Sequence, residues 1–173
     1  MSQLKIVRHH SGIMVARQHR DKRLRPTVVL LLYRVIDGQY QALLVRGANK
    51  PFPLHFPQGG IEPEEDVLQA FYREGFEELA LPKEAVQSVE YVGYKVSFKP
   101  QRKEHEKFRE GSLYFCFAAE CNTSFEPTLN EENLEYGWFP FYEARRLFVG
   151  EGKKSASVRS HEFLVSFQHK NLF

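Results

Sequence analysis

No stretch of this 173-residue chain is apolar for long enough to span a bilayer. The longest such run, Val28-Val-Leu-Leu-Leu-Tyr33, has the length of a buried strand. Cysteine is nearly absent: Cys116 and Cys121 are the only two. They offer neither a disulfide framework nor metal-ligand spacing, and read as ordinary thiols of a cytoplasmic protein. Their odd separation puts them on opposite faces if one strand runs through both. Internal repeats, linkers and composition breaks are also missing. The net charge of +2 is too small to name a partner. Acid is scarce near the N-terminus, where Asp21 alone stands among Lys5, Arg8, Arg17, Arg20, Lys22, Arg23 and Arg25. Residues 1–24 therefore read as a basic extension, either attracting a polyanion or lying solvated. The segment is poor in serine, which argues against a transit peptide.

What the chain does have is core material, with 42% hydrophobic and 14% aromatic residues. That suffices for a single domain, read as residues 25–173. Pro26 to Tyr33 is β-branched and aliphatic, as in a buried strand. Asp37-Gly38 marks a hairpin turn, and Tyr40 to Arg46 is the returning strand. The prolines of Lys50-Pro-Phe-Pro53 cannot continue a sheet interior. A short strand is expected at His55 to Gln58, before Gly59-Gly60. Pro63-Glu-Glu-Asp66 opens a helix to about Leu79, which Pro82 closes. Ser88 to Phe98 and Ser112 to Glu120 read as strands flanking the charged segment Lys99 to Glu110. Trp138 to Phe141 reads as a short strand and Ala156 to His169 as a helix. Strands and helices mixed in this order give an α+β class, one sheet covered by helices.

The informative segment runs from Gly59 to Leu81. On a helical wheel Glu74, Glu77 and Glu78 share an arc of roughly 100° with Val67, Ala70, Phe71 and Leu81. Leu68, Tyr72, Gly75, Phe76 and Leu79 form a second apolar face. The three acids thus continue an apolar seam and are pushed toward a partly buried cleft. Like charges four residues apart repel, and burial raises the cost. A solvated acidic face would be the plain reading of Glu-x-x-Glu-Glu alone. The Gly-Gly loop and the full spacing point instead to a bound cation. Clustered carboxylate oxygens suit Mg²⁺ or Mn²⁺. Arg73, four residues before Glu77, can brace a carboxylate.

This segment resembles the Nudix box, Gly-x5-Glu-x7-Arg-Glu-U-x-Glu-Glu-x-Gly-U, where U is bulky and aliphatic. The matches are Gly59, Glu65, Arg73, Glu74, Glu77, Glu78 and Leu81. Gly75 replaces a bulky residue and Ala80 the late glycine. His55-Phe-Pro-Gln-Gly-Gly-Ile61, Tyr72-Arg-Glu74, Arg25-Pro26 and Tyr94-Lys95 are similar to a narrower branch. That branch holds RNA 5′-pyrophosphohydrolases and dinucleoside polyphosphate hydrolases. The similarity runs from about Arg25 to Trp138.

The resemblance implies a Nudix-type α/β/α sandwich around a mixed sheet. It implies a Mg²⁺- or Mn²⁺-dependent enzyme that hydrolyses a phosphoanhydride bond. Glu74, Glu77 and Glu78, with a carbonyl near Gly59, match the metal ligands. A further glutamate before the Trp138 strand is expected, Glu132 first and Glu135 second. Glu131 and Glu132 could equally be ordinary loop acids. Glu77 or Glu132 would accept the water proton, with Arg73 supporting the constellation and Glu65 the loop. Arg25, Tyr94, Lys95, Lys103 and Lys107 are the expected substrate contacts. Tyr94 would stack on a base or else pack in the core, and the basic loop would hold distal phosphates or else lie solvated. Where RNA-acting relatives carry Gln-Lys-Trp-Phe, this chain has Gly111-Ser-Leu-Tyr-Phe115. The substrate implied is a dinucleoside polyphosphate or the 5′ end of triphosphorylated RNA. The alternatives are a nucleoside triphosphate or nucleotide-sugar pyrophosphatase, and a non-catalytic nucleotide-binding regulator. No membrane partner is expected, and no residue pattern specifies an oligomeric state.

Overall fold

The computed structural model describes residues 24–48, 53–98, 111–151 and 155–172. The N-terminal basic segment before Leu24 and the Lys99 to Glu110 stretch, including Lys103 and Lys107, lie outside them. So does most of Lys50 to Pro53. Among the described residues no helix is long and apolar enough to cross a membrane.

The aliphatic run becomes the long central strand β1, Leu24–Ile36. Asp37 and Gly38 take φ of 51° and 76°, the left-handed pair that a two-residue hairpin demands. The chain returns as β2, Gln39–Gly47, with Tyr33 opposite Ala42. The expected single strand at His55 to Gln58 is instead two short ones, β3 (Leu54–His55) and β4 (Gln58–Gly60). Pro57 explains the break, since it has no N–H to donate; its carbonyl accepts from Leu30 N–H at 2.8 Å.

The helix expected from Pro63 begins later, as α1, Val67–Leu79. Residues 62–65 form a turn first, with the Glu62 N–H held by the Glu65 carboxylate. Asp66 then caps the helix, and Gln69 returns a bond to the Asp66 N–H. Strands β5 (Val86–Ser97) and β6 (Gly111–Cys121) follow. The expected short strand near Trp138 is the eight-residue β7, Asn133–Pro140. Helix α2, Phe141–Gly150, was not anticipated. It buries Phe141, Ala144 and Phe148, but exposed Tyr142 and Val149 blur its polar face. Helix α3, Ser155–Asn171, closes the chain.

The seven strands form one mixed sheet in the order β3-β2-β1-β6-β5, with β4 on β1 and β7 on β2. β1 and β6 pair in parallel and every other pair is antiparallel. β1 is buried on both faces, as a central strand covered from two sides should be. One core packs Val28, Leu30, Leu32, Phe115 and Phe117 against Val67, Phe71 and Leu79 of α1. The other packs Val29, Leu31 and Phe56 against Phe148 of α2 and Phe163, Leu164 and Phe167 of α3. This is the expected α/β/α sandwich. Cys116 and Cys121 are free and buried in opposite cores, as their odd spacing requires.

Both departures from the glycine pattern of α1 have a local explanation. A Cβ at Gly75 would stand 3.1 Å from Leu81 Cδ2 and 3.5 Å from Leu30 Cδ2, so the bare backbone lets the helix close on the sheet. Ala80 takes the left-handed conformation that a glycine favours, with φ 53° and ψ 36°. Its N–H bonds Phe76 O, and Leu81 N–H bonds Gly75 O. An L-residue there costs about 1–2 kcal/mol, partly offset by the larger unfolded-state entropy of glycine. Ala80→Gly should therefore stabilise the protein by roughly 0.5–1 kcal/mol. A urea melt that shows no rise in midpoint would contradict this account of the turn.

Candidate active site

Backbone pairing brings the acidic residues to one end of the sheet. Val28 stands opposite Gly59 and Thr27 opposite Gly60. α1 then lays Glu74 against that glycine strand. A Cβ at Gly59 would overlap the Glu74 carboxyl, so only glycine permits the approach. Residues beyond β6 reach the same place from the other side. Thr128 N–H bonds Leu79 O at 3.0 Å and Asn130 N–H bonds Glu78 O at 3.2 Å, which clips that loop to the end of α1. Ala48 N–H holds Glu132 O at 2.8 Å.

The result is a cleft of about 340 Å³, lined by Arg25, Thr27, Gln58, Gly59, Gly60, Glu62, Glu74, Glu77, Glu78 and Glu132. Of the two glutamates considered before the Trp138 strand, Glu132 faces this cleft. Glu135 turns to Arg46, with Oε1 2.7 Å from Nε. Glu74 and Glu78 are buried, while Glu77 sits at the rim with 54% of its side chain exposed.

Arg73 uses all three of its guanidinium nitrogens here. Nε and Nη2 donate to Glu65 at 3.0 Å and 2.6 Å, and Nη2 also to Gly60 O at 2.7 Å. Nη1 bridges Glu74 Oε1 at 2.8 Å and Glu77 Oε2 at 3.1 Å. The fork thus ties the glycine loop to the helix, as planar bidentate recognition allows and an ammonium would not. Glu65 supports this brace and does not line the cleft.

The electrostatics are unbalanced. Glu78 is pushed up to about 8, first by burial, then by Glu74 and Glu132. Asn133, whose Nδ2 donates to Glu78 Oε2 at 3.2 Å, opposes the rise. Glu74 is also raised, chiefly by burial, although Arg73 pulls it down. For Glu65 burial again acts upward, but the Arg73 hydrogen bonds win and hold it below its ordinary value. Arg73, shared with Glu65, and Arg25 cannot together neutralise Glu74, Glu77, Glu78 and Glu132, and the remaining charge favours a cation.

The donor set fits a hard divalent ion, since every group offered is an oxygen. Among the described residues no three acids already converge as a closed cage. Arg73 occupies one oxygen each of Glu74 and Glu77, while the Glu132 carboxylate has no hydrogen-bond or ion-pair partner among those residues; its backbone N–H donates to Asn130 Oδ1.

Other expected contacts divide between the faces of the sheet. Arg25 lines the cleft. Tyr94 lies opposite Phe115, on the α1 face, and is half exposed. Lys95 lies opposite Tyr114 on the α3 face, with Nζ 3.9 Å from Glu162 Oε2. The consecutive pair therefore cannot act side by side. Thr27, Gln58, Glu62 and Asn133 were missed by sequence reasoning. None has a periodic or spacing signal of its own, and strand pairing alone delivers them.

A carboxyl whose pKa rises on folding holds its proton more tightly in the folded state. The Glu78 contribution is therefore fully present below about pH 4.5 and lost as pH rises through about 8. In chelator-treated protein the melting temperature should fall from about pH 5 to pH 8. Glu78→Gln should flatten that slope. Identical slopes for the two proteins, measured by scanning calorimetry, would show that Glu78 is not the strained group.

Comparison with known proteins adds the following. The NUDIX domain family model matches residues 24–159. No curated protein matches the full sequence. Among solved structures, the chain is similar to a binary complex of the C. elegans Ap4A hydrolase, with a TM-score of 0.67 at 20% identity. That match covers 85% of this chain and 97% of the other. The NUDIX domain of Shewanella oneidensis NrtR, complexed with ADP ribose, gives 0.65 at 16% identity, over 90% and 97% of the two chains. The E. coli dihydroneopterin triphosphate pyrophosphohydrolase gives 0.63 at 15%, over 83% and 96%. At these identities the structural likeness speaks to the fold.

Proposed function

Since the chain belongs to the NUDIX domain family and is a pyrophosphohydrolase, we propose that it cleaves a phosphoanhydride bond in a nucleoside polyphosphate, using Mg²⁺ or Mn²⁺. A dinucleoside polyphosphate is the first substrate class, and the 5′ end of triphosphorylated RNA the second. The observation that carries the reading is the cleft itself. Glu74, Glu77, Glu78 and Glu132 face Arg25 across the glycine strand, so a cation-binding wall opposes a phosphate-binding one. The shared fold of the Ap4A hydrolase supports the first class. We read residues 25–173 as one catalytic domain and the basic segment 1–24 as an extension outside it.

Divalent ions held by these carboxylates would neutralise the phosphates and lower the pKa of a bound water. Glu74 and Glu78 are the buried ligands, held in place by Arg73 and Asn133. Glu77 completes the set from the rim. Glu132 is the better proton acceptor for the attacking water. Its carboxylate is free of Arg73, whereas Glu77 is engaged by it. Arg25 orients the phosphate chain, since its guanidinium lies 3.0 Å from where a Gly60 Cβ would be.

Activity should vanish with chelator and return with Mg²⁺ or Mn²⁺. Glu78→Gln should keep the fold and lower kcat roughly 100-fold or more, because charge stabilisation develops at that position. Glu64→Gln, on an exposed turn residue outside the cleft, should be nearly neutral. Product chromatography should show a dinucleoside tetraphosphate cut asymmetrically into triphosphate and monophosphate. Symmetric cleavage with preference for diphosphate sugars would move the function to that alternative. Preferred release of pyrophosphate from triphosphorylated RNA would select the RNA branch. Full turnover without metal, or equal losses in the two variants, would overturn the reading.

A further inference from the structure

The face of the sheet turned away from the glutamates carries a second, cationic group of residues. Period-two alternation puts Arg25 and Thr27 of β1 on that face. Thr27, Tyr114 and Lys95 form one row across β1, β6 and β5. Arg159 of α3 lies over this row, its guanidinium carbon 3.9 Å from the centre of the Tyr114 ring. Two buried hydroxyls fix α3 there. Ser157 Oγ donates to Leu54 O, and Ser160 Oγ accepts from Phe56 N–H.

Arg159 is poorly compensated for a group so placed. Its Nε is buried with no hydrogen-bond partner, although the residue keeps some exposure. Among the described residues Glu162 is the carboxylate that acts on it, and Glu162 also faces Lys95. Burial pulls its pKa downward. His55, also nearby, is lowered by burial first and then by the charge of Arg159, and an imidazole can supply no negative charge in any case. Nearby Thr27 Oγ1 is likewise buried without a partner. A water or a bound anion would satisfy unpaired buried donors of this kind.

The two glycines of β4 connect this face with the catalytic one. A side chain at Gly59 would run into Glu74, and one at Gly60 would meet Arg25. With neither present, the strand is a low saddle between the carboxylates and the cations. Arg25 and Thr27 line the cleft and belong to the cationic face at once.

We propose that Arg159, with Lys95 and Arg25, binds the substrate phosphates that lie beyond the glutamate cluster and so selects chains of three or more phosphates. This deepens the reading of the site given above and rests on it. Arg159 stacks on Tyr114, which holds the guanidinium plane in one orientation, and its nitrogens donate to phosphate oxygens. Arg159 does not line the glutamate cleft, so the phosphate it holds would be one further along the chain than those at the carboxylates.

The test compares wild type, Arg159→Gln and Arg159→Lys on a dinucleoside tetraphosphate and on ADP-ribose. Arg159→Gln should raise KM for the tetraphosphate roughly tenfold or more, with kcat nearly unchanged and ADP-ribose unaffected. Arg159→Lys should recover part of the loss, which a purely structural role would not predict. Calorimetric titration with inorganic tripolyphosphate, on chelator-treated protein, provides a readout without catalysis. Wild type should bind it more tightly than Arg159→Gln at equal ionic strength. Equal tripolyphosphate affinity, or a KM change common to both substrates, would overturn the assignment of Arg159 and leave the proposed reaction standing. Tripolyphosphate discrimination without hydrolysis of either substrate would do the reverse.

Discussion

Everything at the active end of this protein depends on one guanidinium. Arg73 sets a positive charge beside the cleft that holds Glu74, Glu77, Glu78 and Glu132, and it spreads that charge over Glu65, Glu74, Glu77 and the Gly60 carbonyl. Two consequences follow. The glycine loop is fixed to helix α1, so the backbone at Gly59 rests against Glu74. The neutralisation is also incomplete, because Glu78 and Glu132 lie beyond the fork. Burial and mutual repulsion then push the Glu78 carboxyl up to about 8. On the proposed reading a hard cation would relieve the repulsion that the fold alone cannot.

The sheet turns that local tension into a usable geometry. β1 pairs with β2 along its C-terminal half and with β4 along its N-terminal half. The change of partner leaves room for two side-chain-free residues where the two faces meet. On one side stand the carboxylates of α1 and Glu132, on the other the cations of β1, β5 and α3. On the proposed reading an anionic chain laid over β4 would meet both, the carboxylate end polarising a phosphoanhydride and the cations holding the remaining phosphates.

Much of this was legible in the residue order, for reasons that are local. The arc shared by Glu74, Glu77 and Glu78 follows from helical periodicity, and the burial of Glu74 and Glu78 agrees with it. Asp37-Gly38 announced a hairpin through its tolerance of positive φ. The odd separation of Cys116 and Cys121, five positions, was enough to place them in opposite cores. Helix α2 escaped notice because apolar Tyr142 and Val149 sit on its solvent side and spoil the pattern. Ala80 stands where the box has a glycine, yet the hydrogen bonds at the end of α1 impose a left-handed turn there.

By itself the sequence determined which chemical groups share one turn of helix, and hence the family, the oxygen-rich donor set and the class of reaction. Periodicity and capping act over a few residues, and those choices can be read without the rest of the chain. Only the tertiary structure decided that Glu132 faces the cleft while Glu135 turns to Arg46, and that Asn133 holds Glu78. It also brought Arg159 to the row of Thr27 and Tyr114. These pairings join residues tens of positions apart through strand register and helix docking, and no local spacing encodes them.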